Sequence, residues 1–318
     1  MIESITKVVS ETPLPDHSSK EELVNDFGNF FQKKIDLIRD KIDKVLKDEN
    51  IPSEVNYENC GNCSQSELHD FKNLTEEDVK KLVRKCSSKH CVLDPAPTTL
   101  IKECLDVLLP IITLIVNKSL QSGYFTSCYK CSVVIPLIKK LDLERVFQSY
   151  RPVSNLPFIS KVIESAAVSQ YRDHLVDNQQ MPIKNAAYSK NQSTETILTR
   201  VHSDILQGMD NQNVTLLVLL DLSAAFDTID FNILSSIFTH KFKISGSVAA
   251  WFKSYLTDRR QKILIDGVFS EEFDLKYGVP HGSVAGPVTF LSYLSSLHDL
   301  IEEYQLNVAG FADDNQLY

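Results

Sequence analysis

The sequence has no excess of positive charge. Its 42 acidic residues outnumber its 33 lysines and arginines, for a formal net charge of −9. Phosphate binding needs basic surface, so the total argues mildly against a nucleic-acid protein unless the basic residues cluster. Met1–Ser10 has no apolar run of the kind a secretory signal carries. The longest greasy stretch, Leu105 to Val116, falls short of the roughly 20 residues that cross a bilayer, and it holds Pro110. The expectation is a soluble cytoplasmic or nuclear protein, neither secreted nor membrane-spanning. Seven cysteines are an odd number in a chain with no export signal in its first residues, which favours reduced thiols over a disulfide framework. Two C-x-x-C pairs occur, Cys60/Cys63 and Cys128/Cys131, with more than sixty residues between them. A zinc ribbon wants about 15–20 there, so free thiols are expected. Internal repeats and low-complexity tracts are absent.

What is present suits a globular chain. The 318 residues are enough for about two ordinary domains, with 43% hydrophobic and 24% charged residues. Residues 1–17 read as a loose tail. Ser18 and Ser19 stand three residues before Glu21 and Glu22, a capping-box signature. A helix should follow to about Lys47. Val24, Phe27, Phe31, Ile35, Ile38, Ile42 and Val45 step by three or four residues along one of its faces. Such a helix packs on the body of the protein or on a partner, the first being commoner. Residues 49–70 are polar and read as a linker, so residues 1–70 form an amphipathic helix and linker, and residues 71–318 form the main domain. Thr75 with Asp78 caps a helix to about Lys85. Thr98 to Ser122 reads as two helices interrupted at Pro110, and Ser132 to Ile138 as a strand.

After about Asp142 the pattern becomes α/β. VTLLVLLD (214–221) is a continuous apolar run ending in an acid, which predicts a strand buried on both faces. Helices follow at 230–241 and 247–256. KILIDGVFSEEF predicts a hairpin turning at Asp266-Gly267. GVPHGSVAGP (278–287) leads into a helix to about Glu303, and LNVAGFADDNQLY predicts another hairpin with Asp313 and Asp314 at its turn.

Taken singly, Asp221 is an ordinary strand terminator and Asp313-Asp314 an ordinary solvated turn. Taken together, a carboxylate at one strand end and a pair on a neighbouring hairpin make a dense negative site that calls for cations. Hard divalent ions such as Mg²⁺ take one or two carboxylates and complete their shell with phosphate and water. Two of them can clamp the attacking and leaving oxygens of phosphoryl transfer. The glycines of GVPHGSVAGP allow close backbone approach to a ligand, and helix N-termini favour phosphate. Between Phe125 and Glu164, Lys130, Lys139, Lys140, Arg145, Arg151 and Lys161 face three acids. Between His240 and Lys262, Lys241, Lys243, Lys253, Arg259, Arg260 and Lys262 face only Asp258. Both runs are candidate phosphate-contacting surfaces, or simply solvated faces.

LLVLLDLSAAFDTID, GVPHGSVAGPVTF and FADDNQLY, in that order, resemble the three palm motifs of reverse transcriptases, in wording nearest to non-LTR (LINE-type, jockey-like) retrotransposons. YRPVSNLPFISKVIES, QSTETILTRVHSDIL and CVLDPAPTTLIKECLDVLLPIITLIVNKSLQSG resemble the family's finger segments and the region before them. The likeness covers roughly residues 70–318. It implies an α/β (α+β palm) right-hand polymerase fold, with fingers and a partial ferredoxin-like palm but no thumb. It implies an RNA-directed DNA polymerase that adds dNTPs to a DNA primer on an RNA template, using Mg²⁺ or Mn²⁺. Asp221, Asp313 and Asp314 would be the catalytic, metal-binding triad, and the carbonyl of Leu222 would serve one ion. Phe226 would be the steric gate against a ribose 2′-hydroxyl. His281, Gly282 and Ser283 would shape the nucleotide pocket, and Lys139 or Lys140 with Arg151 would hold the triphosphate.

The chain departs from the family's pattern in places. His281 stands for the usual Gln, Ala285 for a bulky aliphatic, Asn185 and Ser189 for Gln and Arg, and Ser292 and Ser296 for an aliphatic and Asn. The family's chains also continue past FADDNQLY, so a fragment with little activity by itself is the expectation. The rival expectations are a non-catalytic remnant that binds RNA or a protein, and a two-metal nuclease.

Overall fold

Ser19 starts the first helix. Its hydroxyl accepts a hydrogen bond from the Glu22 N–H at 3.1 Å, and α1 runs Lys20–Asp48. The computed structural model describes residues 14–51, 63–181, 185–187, 192–222 and 224–318; Cys60 and Ser189 lie outside them. Helices α2 (Glu76–Lys85), α3 (Thr98–Glu103) and α4 (Leu105–Ser122) come next. Strands β1 (Cys131–Ile138) and β2 (Tyr150–Asn155) precede α5 (Phe158–Asp177), α6 (Thr194–Asp210) and β3 (Val218–Asp221). Then come α7 (Phe231–His240), α8 (Gly246–Leu256), β4 (Arg259–Ile265), β5 (Val268–Phe269) and β6 (Phe273–Leu275). Last are α9 (Gly286–Glu303), β7 (Val308–Phe311) and β8 (Asp314–Leu317).

Two sheets organise these elements. The larger has the order β2-β1-β4-β5, with β6 also on β4. Its β1–β4 pair is parallel and the others are antiparallel. Asp266 and Gly267 both have positive φ, the conformation a two-residue hairpin turn requires. The smaller sheet has the antiparallel order β3-β8-β7.

The first half of α1 covers the larger sheet. Leu23, Val24, Phe27 and Phe31 bury against Val134, Tyr150, Ile263 and Ile265. The Phe27 ring meets Phe147 and Tyr150 edge-on at 4.8 and 5.1 Å, a favoured aromatic arrangement. Farther along, Ile42 and Val45 are exposed, so the apolar face predicted through Val45 is used only in part. Arg39 ties the helix to the body through Asp230 at 2.7 Å, the residue that caps α7, and lies over the Tyr277 ring. The main core lies among α2, α4, α5, α7, α8 and α9, around Trp251, Tyr171, Phe158 and Phe125.

Two expectations fail. Pro110 does not interrupt α4; the break falls at Cys104, between α3 and α4. Pro110 sits in the second turn on the exposed side. The carbonyl it leaves unbonded, that of exposed Asp106, can turn to water. Among the described residues α4 is the one helix long and apolar enough to cross a membrane by length and composition, and it packs on α2, α5 and α8. Nor is the run 214–221 buried on both faces: only its last four residues form β3, and Leu219 is 70% exposed. β3 bonds to β8 alone among the described strands, so one edge and much of its surface stay open.

Candidate active site

The smaller sheet brings the distant acids together. Asp221 ends β3 and faces Asp314, the first residue of β8, directly in register. Directly opposed residues put their Cβ atoms about 4.5–5.5 Å apart on one face. Asp313 lies in the tight β7–β8 turn, after Ala312 with φ +56°. Asp314 therefore opens a strand rather than sharing the turn, and that strand is the central one of its sheet. Asp221 and Asp314 are exposed and Asp313 is half-buried.

Asn185 holds the turn. Its amide donates to the Ala312 carbonyl at 2.9 Å, and its side-chain oxygen accepts from the Ala312 and Ala187 N–H groups. A backbone bond from Ala186 N–H to the Gly310 carbonyl completes the clasp. Asn315, almost fully buried, donates to the Asp313 carbonyl at 3.1 Å.

The loop 278–286 packs on the segment after β3. The Gly278 and Val279 N–H groups donate to the carbonyls of Ile229 and Phe226, both at 2.9 Å. Gly278 has φ +81°, and a Cβ there would lie 2.6 Å from Asp227 backbone. Gly282 has φ +96°, and a Cβ there would lie 2.8 Å from the Ser154 carbonyl oxygen. Only glycine admits this approach of loop to strand. Ser283 is buried, and its hydroxyl accepts from the Gly286 N–H at 3.0 Å at the start of α9. Half-buried Phe226 stacks on Phe290 at 4.6 Å and lies 5.6 Å from the His281 ring.

His281 Nε2 lies 2.8 Å from Asp227 Oδ1. Desolvation works against its charged form, but the Asp227 hydrogen bond and charge, with the charge of Asp313, outweigh it and raise its pKa; Lys34 of α1 opposes the rise. The hairpin turn, the loop and α1 thus converge electrostatically on one imidazole.

Glu164 is fully buried in α5, a position the sequence does not flag beyond one acid in a basic run. Its carboxylate accepts from the Val284 and Ala285 N–H groups at 2.7 and 3.1 Å. Ser160 and Tyr255 hydroxyls also donate to it, at 2.9 and 3.3 Å. One buried carboxyl group therefore pins the loop and the start of α9 to α5 and α8. An acid inside the apolar stretch SKVIESAAV is the one available signal. Two departures in α9 differ: Ser292 bonds the Tyr171 hydroxyl at 2.7 Å, whereas the buried Ser296 hydroxyl has no partner among the described residues.

Lys139, Lys140 and Arg151 sit at the loop end of the β1–β2 hairpin, all exposed. The Lys139 ammonium donates to the Gln148 carbonyl at 2.8 Å. No bond joins these three to the acids among the described residues. Leu222 follows β3 and is partly buried against the main core. Cys128 and Cys131 carry free thiols, and burial raises the pKa of the Cys131 thiol.

Among the described residues, no three His, Cys, Asp or Glu groups gather closely enough to cage a metal ion. A cation that uses one or two carboxylates, such as the facing Asp221 and Asp314, and completes its shell with phosphate and water still fits this arrangement.

A match to the family model for reverse transcriptase (RNA-dependent DNA polymerase) spans residues 138–318, more than half of the chain. The chain belongs to the reverse transcriptase family, whose members generally use divalent metal ions. Its relatives within that family are the polymerases of non-LTR retrotransposons. It is 27% identical over 250 residues to the RNA-directed DNA polymerase from mobile element jockey of Drosophila melanogaster, covering 76% of this chain and 27% of that protein. It is 30% identical over 209 residues to the probable RNA-directed DNA polymerase from transposon X-element of the same fly, covering 64% of this chain and 22% of that protein. The chain thus spans about a quarter of the length of these relatives. A solved apo telomerase from Candida Tropicalis, truncated from its C-terminal domain, is similar at 13% identity and a TM-score of 0.43, over 60% of this chain and 44% of that one. That likeness is too low to support an inference.

Proposed function

We propose that this chain carries the nucleotide-selecting and carboxylate-bearing part of an RNA-directed DNA polymerase, which extends a DNA primer with dNTPs on an RNA template. The register that sets Asp221 against Asp314, next to Asp313, is the observation that carries this reading. Asp221, Asp313 and Asp314 would hold Mg²⁺, or Mn²⁺ in its place, with the Leu222 carbonyl serving one ion. When bound, such ions neutralise charge on the phosphates and stabilise the attacking and leaving oxygens.

The primer 3′-hydroxyl oxygen attacks the α-phosphorus of the dNTP and gives up its proton to solvent; the bond to the bridging oxygen breaks and pyrophosphate leaves. Phe226, stacked on Phe290, would bar a 2′-hydroxyl. His281, hydrogen-bonded to Asp227, presents an imidazole edge where an amide would present both a donor and an acceptor. Gly282 and Ser283 shape the pocket floor that Glu164 anchors through the adjoining amides. Lys139, Lys140 and Arg151 would receive the triphosphate, with Lys139 leaving its bond to Gln148. Charge-assisted contacts of this kind stabilise the transferring group.

The test is template-directed dNTP incorporation on a primed RNA. The expected result is incorporation that requires a primer 3′-hydroxyl and is abolished by Asp221→Asn. Nucleic-acid binding that is indifferent to Asp221→Asn and Asp313→Asn, with no incorporation, would instead favour a non-catalytic binder. Metal-dependent cleavage without a primer requirement would favour a nuclease.

A further inference from the structure

The two basic runs of the sequence meet in space, away from the carboxylates. Lys130 from the first run and Lys253 and Arg260 from the second line one cleft of about 620 Å³. It lies between α8 and the first residues of β1 and β4, with Tyr124, Ser127, Cys128 and Thr257 on its walls.

The cleft contains a lysine whose ammonium has no acid bonded to it among the described residues. Lys130 is only 5% exposed, yet its ammonium makes no hydrogen bond or ion pair with any described residue; it lies 5.8 Å from the centre of the Tyr124 ring. Burial lowers its pKa and Arg259 lowers it further, while the charge of Asp258 opposes both. Arg259, the first residue of β4, is 1% exposed and lies in the core behind the cleft, donating to the Tyr255 carbonyl at 2.9 Å and lying over the Tyr255 and Phe125 rings. Two acids line the cleft. Glu272 is already shared by Arg260 at 2.7 Å and Lys262 at 3.0 Å, and Asp258 is left to face Lys130. Lys253 forms no ion pair among the described residues, so the wall retains positive charge beyond what its own acids satisfy.

Two features set the ligand class. Lys130 and Lys253, which form no ion pair among the described residues, favour an anion that reaches into the cleft, as a phosphodiester does. Tyr124 stands beside them, 50% exposed, and an exposed aromatic next to a basic groove stacks an unpaired base.

We propose that this cleft is a single-stranded nucleic-acid site, holding a backbone phosphate at Lys130, Lys253 and Arg260 and a base against Tyr124. The choice of nucleic acid rests on the function proposed above, but the site requires neither the carboxylates nor a metal ion.

The test is binding of a fluorescein-labelled single-stranded oligouridylate, in EDTA, followed across a salt titration. Tyr124→Ala should weaken binding by about 5- to 150-fold. Lys253→Gln should lower the slope of log affinity against log salt by about one. Lys130→Met should do the same if circular dichroism shows it folded; the two surface variants decide the matter if it does not. Affinity and salt slope equal to the parent in both Tyr124→Ala and Lys253→Gln would overturn the site. Equal weakening of a duplex and a single strand by Tyr124→Ala would overturn the stacking assignment. Because EDTA removes any need for catalysis, these losses in a chain that incorporates no dNTP would sustain the cleft and sink the polymerase reading. Intact incorporation with unchanged binding would do the reverse.

Discussion

β1 and β3 are both apolar strands, and the fold treats them differently. In β1, Val133 and Val134 are almost completely buried, because the strand has a partner on each edge and α1 over one face. In β3, Val218 is 40% and Leu219 70% exposed, with β8 on one edge and no described strand on the other. Apolar sequence supplies the tendency to bury, but burial needs a second layer and a partner at each edge. The first sheet is thus a packed scaffold. The second is a thin platform, held by local clasps at the place where the acids assemble.

The contrast is sharpest in the largest expected effect. Phe27→Ala should cost about 3–5 kcal/mol in denaturant unfolding, since it empties the contact between α1 and the first sheet. Leu219→Ala, of comparable hydrophobic character, should change stability by no more than about 0.5 kcal/mol. Equal costs would mean that β3 is covered after all.

Next in size is Glu164→Leu. It strands the Val284 and Ala285 amides and the Tyr255 hydroxyl in a buried place. Each unmade bond costs about 1–3 kcal/mol, so a loss of at least about 3 kcal/mol is expected. Faster amide exchange at Val284 and Ala285 would tie the loss to the loop.

Asn185→Ala acts on the thin sheet alone. It should cost about 1–3 kcal/mol by leaving the Ala312 N–H and carbonyl unpaired. Hydrogen exchange should quicken at Ala312 and remain slow in β1. A uniform change across both sheets would show that they do not unfold separately.

His281→Gln is the smallest effect, and it depends on pH. The imidazole has a raised native pKa, so its contribution to stability is full below the unfolded value near 6.5 and is lost as pH rises through the native one. The stability difference between parent and variant should therefore shrink as pH is raised from below 6.5 through neutrality. A constant difference would place the Asp227 contact outside the titration.

Much of this organisation is legible in the residues. The capping serine at Ser19, the Thr75–Asp78 box and the Asp266-Gly267 turn act through neighbours within four positions, and all appear where local chemistry puts them. The order of the acidic motifs suffices to identify the family. What the residues conceal is long-range. The reach of Glu164 to loop amides about 120 positions away, and the clasp of Asn185 on a turn 127 positions away, follow from topology rather than spacing. The exposure of β3 was hidden because a greasy run looks the same whether or not anything covers it. The two basic runs could be counted, but their meeting around Lys130 depends on the parallel β1–β4 pairing.

The most direct test of the central claim is Mn²⁺ binding, followed by its paramagnetic spectrum with and without a dNTP. The account predicts saturable Mn²⁺ binding that the dNTP strengthens and that Asp221→Asn and Asp314→Asn each weaken. Mn²⁺ and dNTP binding that both substitutions leave unchanged would contradict it, and would separate the facing acids from any role in nucleotidyl transfer.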